Sequence, residues 1–417
     1  MRLRGAFALT ALLGAAALAA QGSPAATRAT QPTPVVAQEP GESIRISVLT
    51  FGPGDAVFER FGHNALRVVD EATGTDLAYN WGMFSFDEPN FLGRFLSGNT
   101  RYWVEAFPSE WLMEVYRRQD RETHEQELAL TPAQRLAVAK FVANNAREEN
   151  KYYRYDYFLD NCSTRLRDAL DLALGGTLKG RFTPLRTDWT FRSESVRLTT
   201  PDGLAQAGID VALGPRADLP ITAWESMFIP MRLRDYLREV TVPGIDGATV
   251  PLVSSERVLF TPQRRAAEPA ERRGLTIGAW GPILGAWMLM LVPLSATSRR
   301  RTRVAAAVMS GAWYGITGIL GLLLLGMWAG SAHVFWYDNL NLLLLSPLGV
   351  VAAVSVTRAI LRGSHTRLSR GLAIAIVGMA VLELMLASFV SQRVAGPLLI
   401  FLPAHVGLAV AAWRHTR

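Results

Sequence analysis

Residues 157–164 read YFLDNCST and contain Cys162, the only cysteine among the 417 residues of the chain. Asp160 and Asn161 are favourable N-cap residues, so this stretch predicts a helix that begins at Cys162 and ends near Gly175. Unpaired amide N–H groups and the helix dipole at such a first turn lower the pKa of a thiol. A single cysteine forms no internal disulfide, so Cys162 is a buried apolar side chain, an intermolecular bridge or a nucleophile. The local sequence favours the nucleophile.

The N-terminus has the pattern of an export signal followed by a linker. Arg2 and Arg4 precede an apolar run, and residues 17–19 match a small-x-small cleavage site. We therefore predict a signal peptide over residues 1–20, with an uncleaved membrane anchor as the alternative. Residues 21–42 are rich in Ala, Pro, Thr and Gln, which predicts a disordered linker.

The C-terminal third contains five apolar segments, each close to the ~20 residues that span a bilayer as a helix. They cover residues 275–295, 304–328, 340–357, 372–390 and 397–413. Arginine-rich connections follow the first, third and fifth segments, whereas the connections after the second and fourth contain at most one basic residue. By the positive-inside rule, residues 275–417 form a five-helix membrane domain with a cytoplasmic C-terminus, and the preceding domain is extracytoplasmic.

The net charge of +7 and the isoelectric point of about 9.8 fit this arrangement. Much of the basic excess lies between the apolar runs, where it determines topology, so we expect a membrane partner and no nucleic acid. The predicted location is the cytoplasmic (inner) membrane. Residues 43–262 are long enough for one extracytoplasmic domain, and residues 263–274 form a juxtamembrane linker.

The extracytoplasmic domain has the pattern of an α+β fold. Alternating apolar residues predict three strands, over residues 44–51, 64–69 and 76–81. The last two form a hairpin whose register pairs Val69 with Asp76. Helix signals follow at Ser109, at Thr131 and around residues 221–240. This order predicts a small antiparallel sheet with helices packed on it.

A thiol nucleophile needs a base, and histidine is the usual one because its pKa lies near neutrality. His63, at the start of the second predicted strand, is the preferred candidate over His124, which lies in a charged stretch typical of a solvated surface. A hydrogen-bonded strand-end histidine without a catalytic role is the alternative reading of His63.

The hairpin register also predicts a residue that orients the imidazole. It places His63 opposite Gly82, with Asn80 diagonally on the same face. Asn80 is therefore the candidate for the third position of a catalytic triad. Asp156 and Asp160 are alternatives that would approach from the side of the cysteine helix.

Other chemistries have less support. One cysteine and two plausible histidines, at no recognised ligand spacing, predict no metal site and no cofactor. The extracytoplasmic domain has no Gly-x-Ser-x-Gly elbow, which argues against a serine hydrolase. Aromatic residues are dense between Trp81 and Trp103. Most of them are expected in the core, and an exposed subset near the membrane would form a groove for an acyl chain.

Three stretches of the chain resemble one bacterial family. They are residues 54–67, which include FGHNALR, residues 79–84, YNWGMF, and residues 160–164, DNCST. In this order they are similar to the extracytoplasmic domain of the Lnb-type lipoprotein transacylases, whose companion part is a five-helix membrane domain. The loop HVFWYDNLNL, residues 333–342, is similar to a motif of that membrane domain.

The resemblance implies a permuted papain-like fold, of the NlpC/P60 kind, in which the histidine strand precedes the cysteine helix. It implies that Cys162, with His63 as base and Asn80 beside it, carries an acyl chain as a thioester. The implied partners are diacylglyceryl lipoproteins, whose acyl chain moves to their own N-terminal amine, and membrane lipid. Candidate substrate-binding residues are Asn64, which points to the strand face opposite His63, and Tyr79, Trp81, Asn161, Asp338 and Asn339.

Two alternatives stay open. An NlpC/P60-like cell-wall peptidase or amidase would suit the same fold, and a polar open cleft would favour it over an aromatic groove toward the membrane. In a non-catalytic, membrane-anchored binding module, Cys162 would be a packed helix residue and its replacement by Ser would leave function intact. Glu383 lies inside the fourth predicted span, where it either seats a polar group of a ligand or pairs within the bundle.

Overall fold

The computed structural model describes residues 39–200, 202–244, 247–263 and 299–414. From Glu39 onward the chain belongs to one compact unit. The predicted signal peptide, most of both predicted linkers and the first predicted span lie outside the described residues. Residues 40–43 form a turn, and regular secondary structure begins at Ile44, directly after the predicted N-terminal linker.

An antiparallel sheet is the centre of the extracytoplasmic domain, and the predicted α+β class is confirmed. The strands in chain order are β1 (Ile44–Phe51), β2 (His63–Asp70), β3 (Thr75–Met83), β4 (Arg101–Pro108), β5 (Thr123–Leu128), β6 (Tyr152–Arg154), β7 (Arg186–Thr190), β8 (Pro220–Thr222), β9 (Thr241–Pro243), β10 (Thr249–Pro251) and β11 (Val253–Phe260). In the described residues the main sheet has seven strands in the order β11-β5-β1-β2-β3-β4-β6, beside the two small pairs β7–β8 and β9–β10.

The first three strands form where the alternation of apolar residues predicts them, because alternate side chains enter two different buried faces. Strand β1 has the predicted bounds, and β2 and β3 each extend slightly beyond theirs. The hairpin pairs Val69 with Asp76 and Arg67 with Ala78, as predicted, and the strand pairing ends at Leu66 and Tyr79, before the predicted pair of His63 with Gly82. Arg67 stabilises this part of the sheet by donating from Nε to Asp76 (2.8 Å) and from Nη1 to Glu125 (2.7 Å).

Helices of the extracytoplasmic domain are α1 (Phe91–Leu96), α2 (Ser109–Arg118), α3 (Pro132–Asn145), α4 (Cys162–Ala173), α5 (Thr177–Phe182), α6 (Phe191–Leu198), α7 (Gly203–Ala212), α8 (Ala223–Ser226) and α9 (Pro230–Leu237). Helices α2, α3 and α4 begin where the sequence predicts. The single helix predicted around residues 221–240 is wrong, since a strand and two short helices occupy that range. Pro230 begins the second helix. The helical conformation is disfavoured for a residue that precedes a proline, so one continuous helix does not form.

Helices cover both faces of the main sheet. On one face, α3 and α4 pack against Ile46, Leu66 and Trp81. On the other face, α2 packs against Phe51 and Ala65. Because successive strand residues alternate between the faces, the side chains of His63 and Asn80 lie on the α2 face, and Cys162 belongs to the helix on the opposite face.

Residues 299–414 contain four helices that are long and apolar enough to cross a membrane, at Arg300–Gly330, Asn341–Arg362, Arg367–Leu386 and Ala395–Trp413. They correspond to the second to fifth predicted spans. Their helical segments are α10 (Arg300–Gly330), α11 (Asn341–Leu344), α12 (Leu348–Arg362), α13 (Arg367–Leu386) and α14 (Ala395–Arg414). The span formed by α11 and α12 is interrupted just before Leu348, next to Pro347. Glu383 on α13 is fully buried, and neither carboxylate oxygen has a hydrogen-bond partner among the described residues.

Candidate active site

Cys162 begins helix α4 because Asn161 caps that helix, as predicted. The Oδ1 atom of Asn161 accepts hydrogen bonds from the backbone N–H groups of Ser163 (2.9 Å) and Thr164 (3.0 Å). Its Nδ2 atom donates to two backbone carbonyls, those of Tyr157 (3.0 Å) and Phe228 (2.9 Å). These contacts use the full hydrogen-bonding capacity of the amide. The side chain of Asn161 therefore holds the turn that carries the thiol, and a contact of this residue with substrate stays a prediction.

Cys162 is a half-buried residue, and its thiol accepts from three backbone N–H groups. Burial raises the pKa of the thiol to about 11, although the N–H groups of Asn64, Ser163 and Cys162 itself act in the opposite direction. The helix N-terminus thus lowers the pKa of the thiol as expected, but burial raises this pKa by more. Cys162 is a neutral thiol at pH 7 and needs a base to become a nucleophile.

His63 and Asn80 are joined across strands β2 and β3 by a hydrogen bond from Nε2 to Oδ1. Because an amide oxygen only accepts, Nε2 carries the proton and Nδ1 is the basic ring nitrogen. Burial lowers the pKa of His63 to about 4; the bond to Asn80 opposes this shift, and the nearby charge of Arg121 adds to it. The imidazole is therefore neutral at pH 7 and able to accept a proton.

Gly82 lies beside both Cys162 and His63. It has a φ of +94° and occupies an irregularity between Trp81 and Met83 in the pairing of β3 with β4. A Cβ atom at this position would be 3.6 Å from Cβ of Cys162 and 3.6 Å from Cε1 of His63. The side chains of Cys162 and His63, from opposite faces of the sheet, thus both approach Gly82 at the end of β3. Bulges of this kind are frequent next to active sites.

The other candidates for base and orienting residue have different partners. His124 lies in β5 between two glutamates, with Nε2 3.2 Å from one carboxylate and Nδ1 3.6 Å from the other. Asp156 caps the following turn by accepting two backbone N–H groups at 2.9 Å. Asp160 pairs with Arg165, whose Nη2 is 2.8 Å from its Oδ2. None of these contacts is directed at His63.

A cavity of about 250 Å³ opens on the α2 side of this site. Its polar part is lined by five residues: Glu59, His63, Asn80, Gln119 and Arg121. The rest of the wall is mainly apolar and includes Phe58, Phe84, Phe107, Trp111, Leu112 and Val115. A concave apolar wall with few polar groups is the usual form of a site for a largely apolar ligand.

Arg121 and Tyr116 form the wall behind His63, and neither belongs to a motif that sequence analysis recognised. The Tyr116 ring stacks on Phe51 with centroids 3.7 Å apart and is 6.0 Å from the His63 ring. The buried guanidinium of Arg121 lies 4.7 Å over Tyr116, and its Nε donates to the Gly52 carbonyl at 2.8 Å. A fixed cation here favours neutral His63 and negative charge on the sulfur.

Two tyrosines from the segment before α4 also flank the thiol. Burial is the main cause that raises the pKa of both Tyr153 and Tyr155, and the charge of a Cys162 thiolate adds to it. Both phenols therefore stay protonated at neutral pH. The dense aromatic run at residues 152–158 was the only sequence signal for them.

Three predicted substrate-binding residues point into the domain core. Tyr79 and Trp81 are 7% and 1% exposed. Asn64 is fully buried on the face opposite His63, as predicted, and its Nδ2 donates to Ser163 Oγ at 3.2 Å. The three side chains therefore pack in the core, and substrate binding by these residues stays a prediction. The backbone N–H of Asn64, in contrast, reaches the Cys162 thiol.

Asp338 and Asn339 belong to the loop between α10 and α11. Asn339 is buried: its Nδ2 donates to the carbonyls of Val211 and Ala212 (2.9 Å each), and its Oδ1 accepts from Gln392 Nε2 (2.8 Å). These bonds fasten helix α7 of the extracytoplasmic domain to the membrane helices, and substrate binding by Asn339 stays a prediction. Asp338 is exposed, and a contact with substrate stays a prediction.

Family comparisons identify both parts of the chain. Residues 34–192 match the Lnb N-terminal periplasmic domain, and residues 276–412 match the Lnb transmembrane domain. The chain belongs to the Lnb family. It is a membrane protein with an extracytoplasmic N-terminal domain. No curated protein and no solved structure matches it.

The fold extends the Lnb periplasmic domain beyond the matched residues, because β11 completes the main sheet by pairing with β5. The Lnb transmembrane match begins at residue 276 and so includes the first predicted span, which lies outside the described residues. Within the described part of this Lnb protein, no group of three or more His, Cys, Asp or Glu side chains has the arrangement of a metal site.

Proposed function

We propose that this Lnb-family protein is a membrane-tethered cysteine acyltransferase. It moves an acyl chain of a diacylglyceryl lipoprotein to the N-terminal amine of that lipoprotein through a thioester on Cys162. The observation that carries this proposal is the apolar cavity lined by His63, Asn80 and Gly82, together with the position of Cys162 next to Gly82. A thiol, a base and an amide that orients the base provide acyl-transfer chemistry, and the apolar wall accommodates an acyl chain.

In the first step His63 accepts the thiol proton of Cys162 at Nδ1, and the sulfur attacks the carbonyl carbon of the sn-2 ester. The S–C bond forms, and the ester C–O bond then breaks. Protonated His63 gives its proton to the departing glycerol oxygen, which leaves as a hydroxyl group. Because thiol and imidazole are both neutral at rest, proton transfer accompanies the attack rather than preceding it.

Backbone N–H groups stabilise the tetrahedral intermediate in this mechanism. The N–H groups of Asn64, Ser163 and Cys162 converge on the sulfur, so they lie close to the oxygen of an attacked carbonyl. Donors held by a helix N-terminus and a strand need no reorganisation as charge develops, and one such donor is typically worth about 10²–10³ in kcat. The Asn64 amide is our candidate for the second donor of the oxyanion site.

In the second step the N-terminal amine of the bound lipoprotein attacks the thioester carbonyl. The N–C bond forms and the S–C bond breaks. His63 takes the proton of the amine and returns it to the sulfur, which restores the neutral thiol. The product is an N-acylated lyso-lipoprotein.

We also infer a permuted papain-like arrangement and a cytoplasmic C-terminus. The strands that carry His63 and Asn80 precede the helix that carries Cys162, which is the order that the resemblance implies. Arg300, Arg301 and Arg303 lie at the start of α10, whereas the loop after its other end contacts the extracytoplasmic domain. This charge distribution supports a membrane domain of five helices with cytoplasmic arginine-rich connections.

A cell-wall peptidase or amidase is the second candidate, since the same thiol chemistry cleaves amides. Such an enzyme needs polar partners for a peptide backbone, and the mainly aromatic and aliphatic cavity wall supports acyl transfer instead. A non-catalytic binding module has no need for the bond between His63 and Asn80 or for a glycine between His63 and Cys162.

Mass spectrometry of lipoprotein N-termini tests the proposal, in cells that lack lipoprotein N-acylation. The cells express the intact chain, the Cys162→Ala variant or the Leu172→Ala variant. Leu172→Ala is the control, because the side chain of Leu172 is exposed at the opposite end of the same helix. We expect N-acylated lyso-lipoprotein with the intact chain and with Leu172→Ala, and unchanged diacylglyceryl termini with Cys162→Ala. An acyl adduct trapped on Cys162 would support the thioester.

Intramolecular transfer leaves the total lipoprotein mass unchanged and moves one acyl group to the N-terminal fragment, so fragmentation spectra detect it. A gain of one acyl group would identify a separate lipid as donor and overturn the intramolecular step. Diacylglyceryl termini without N-acylation in every strain would overturn the acyltransferase assignment.

A further inference from the structure

Residues 84–96, which we call the membrane-contact segment, expose several large apolar side chains. Phe86 is 67% exposed, Leu92 on α1 is 68% exposed, and Phe95 is 38% exposed. Clustered exposure of this kind marks a surface that contacts a protein or a membrane. Arg94 in the same segment pairs with Glu88 (3.0 Å), so its charge is compensated locally.

Ring contacts connect the membrane-contact segment to the cavity. Phe84 lines the cavity and stacks on Phe91 with centroids 5.9 Å apart. Phe86 lies 5.0 Å from each of these rings, and Phe91 lies 6.5 Å from Phe95. An apolar path therefore runs from the cavity that contains His63 to the exposed surface of α1.

Hydrogen bonds to the membrane domain fix the position of α1 relative to the membrane helices. Ser97, directly after α1, accepts the backbone N–H of Ala332 at 2.9 Å, and His333 Nε2 donates to the Phe95 carbonyl at 2.6 Å. Ala332 comes just after the end of α10, and Trp328 near that end is 40% exposed. Exposed tryptophans at the end of a span typically mark the membrane–water interface. Helix α1 therefore lies beside the end of a span that carries an exposed tryptophan.

We propose that the membrane-contact segment rests in the extracytoplasmic leaflet, with Phe86, Leu92 and Phe95 at the boundary between headgroups and acyl chains. Lipid of that leaflet is the partner of this surface, because the surface continues an interface with a membrane span and lies beside an interfacial tryptophan. An acyl chain leaves the leaflet along Phe91 and Phe84 and reaches the cavity. This route rests on the proposed acyl transfer, whereas the lipid contact does not.

Depth-dependent quenching of a fluorescent label tests the lipid contact in the full-length chain, reconstituted in lipid nanodiscs. In a Cys162→Ala background, Leu92→Cys carries the only thiol. The matched control is Leu172→Cys, because Leu172 is 67% exposed at the end of α4 that lies away from Cys162. We expect nitroxide groups on the lipid acyl chains to quench the label at position 92 at least about twofold and to leave position 172 unquenched. Equal quenching at both positions, or none at position 92, would overturn the proposal.

Kinetics test the route for the acyl chain. Leu92→Glu should raise KM for a lipidated substrate about tenfold, as expected for losing the burial of one leucine against lipid. It should leave the rate of Cys162 alkylation by iodoacetamide unchanged, and Leu172→Glu should change neither quantity. An unchanged KM in Leu92→Glu would overturn the route. If the intact chain shows no acyl transfer while position 92 is quenched, the proposed function fails and the lipid contact is supported.

Discussion

His63 and Asn80 form a hydrogen bond from ring Nε2 to amide Oδ1 across neighbouring strands of the main sheet. The bond determines the tautomer of the imidazole and leaves Nδ1 as its basic atom. Both residues belong to paired strands, so their relative position depends on the sheet and not on a mobile loop. A site built on rigid elements keeps its geometry better than one built on loops.

Asn80→Ala should lower kcat for acyl transfer about ten- to a hundredfold and change KM little. Loss of a buried hydrogen bond to the reacting base costs about 1–3 kcal/mol, and the ring also loses its orientation. Steady-state kinetics on a lipidated substrate measure the effect. Asn150→Ala, which truncates an exposed asparagine outside the site, should keep the original kcat. Equal kcat in the two variants would argue that Asn80 has no part in the mechanism.

Gly82→Ala should destabilise the protein and slow acyl transfer. A non-glycine residue at a φ of +94° costs about 1–2 kcal/mol, and the added methyl group enters the space between Cys162 and His63. Gly74→Ala is the matched control, because Gly74 has a φ of +70° and its Cβ would enter open space. Both variants should have a lower Tm than the intact chain. Only Gly82→Ala should also transfer the acyl chain more slowly. Equal activity of the two would contradict the role of Gly82.

Alkylation of Cys162 should accelerate with pH and reach no plateau below about pH 10. The pKa of the folded thiol lies near 11, above its ordinary value, so the thiolate fraction rises about tenfold per pH unit over this range. Iodoacetamide rates on the intact chain measure it. His63 has a lowered pKa of about 4 and stays neutral throughout. A rate that is independent of pH between about 5 and 9 would indicate a preformed thiolate–imidazolium pair instead.

Asp218→Asn should reduce the free energy of unfolding by about 3 kcal/mol. Arg192 is 1% exposed and donates from Nε to Asp218 (2.9 Å), so the substitution leaves a buried guanidinium without full compensation. Thermal unfolding of the full-length chain measures the loss. Glu71→Gln breaks an ion pair whose partners are both largely exposed, and it should cost under about 1 kcal/mol. An equal loss of unfolding free energy in both variants would contradict the larger contribution of the buried ion pair.

Local patterns account for the parts of the site that could be predicted. The apolar alternation and the turn of the hairpin specify a register, and this register brings Asn80 to His63. Asn161 is a favourable cap, so α4 begins at Cys162. The long apolar segments predict membrane helices because bilayer thickness determines their length. Each of these features depends on residues that are close together in the chain.

Proximity to a motif did not predict which side chains face the site. Tyr79 and Trp81 flank Asn80 in sequence, yet they enter the core, because neighbouring residues of a strand point to opposite faces. Arg121 and Tyr116 come from another part of the chain and line the cavity. Asn339 looked like a surface residue of a loop, and the contact between that loop and α7 buries it.

The sequence by itself determined four long apolar helices, the register of the hairpin turn and the helix that begins at Cys162, since each follows from local periodicity or capping. Only the tertiary structure decided the ionisation of the thiol, because desolvation depends on everything packed around Cys162 and here exceeds the effect of the helix N-terminus. It also decided that the site opens onto an apolar cavity next to α1, because the cavity wall combines residues from β2, β3, β4 and α2 that only folding brings together.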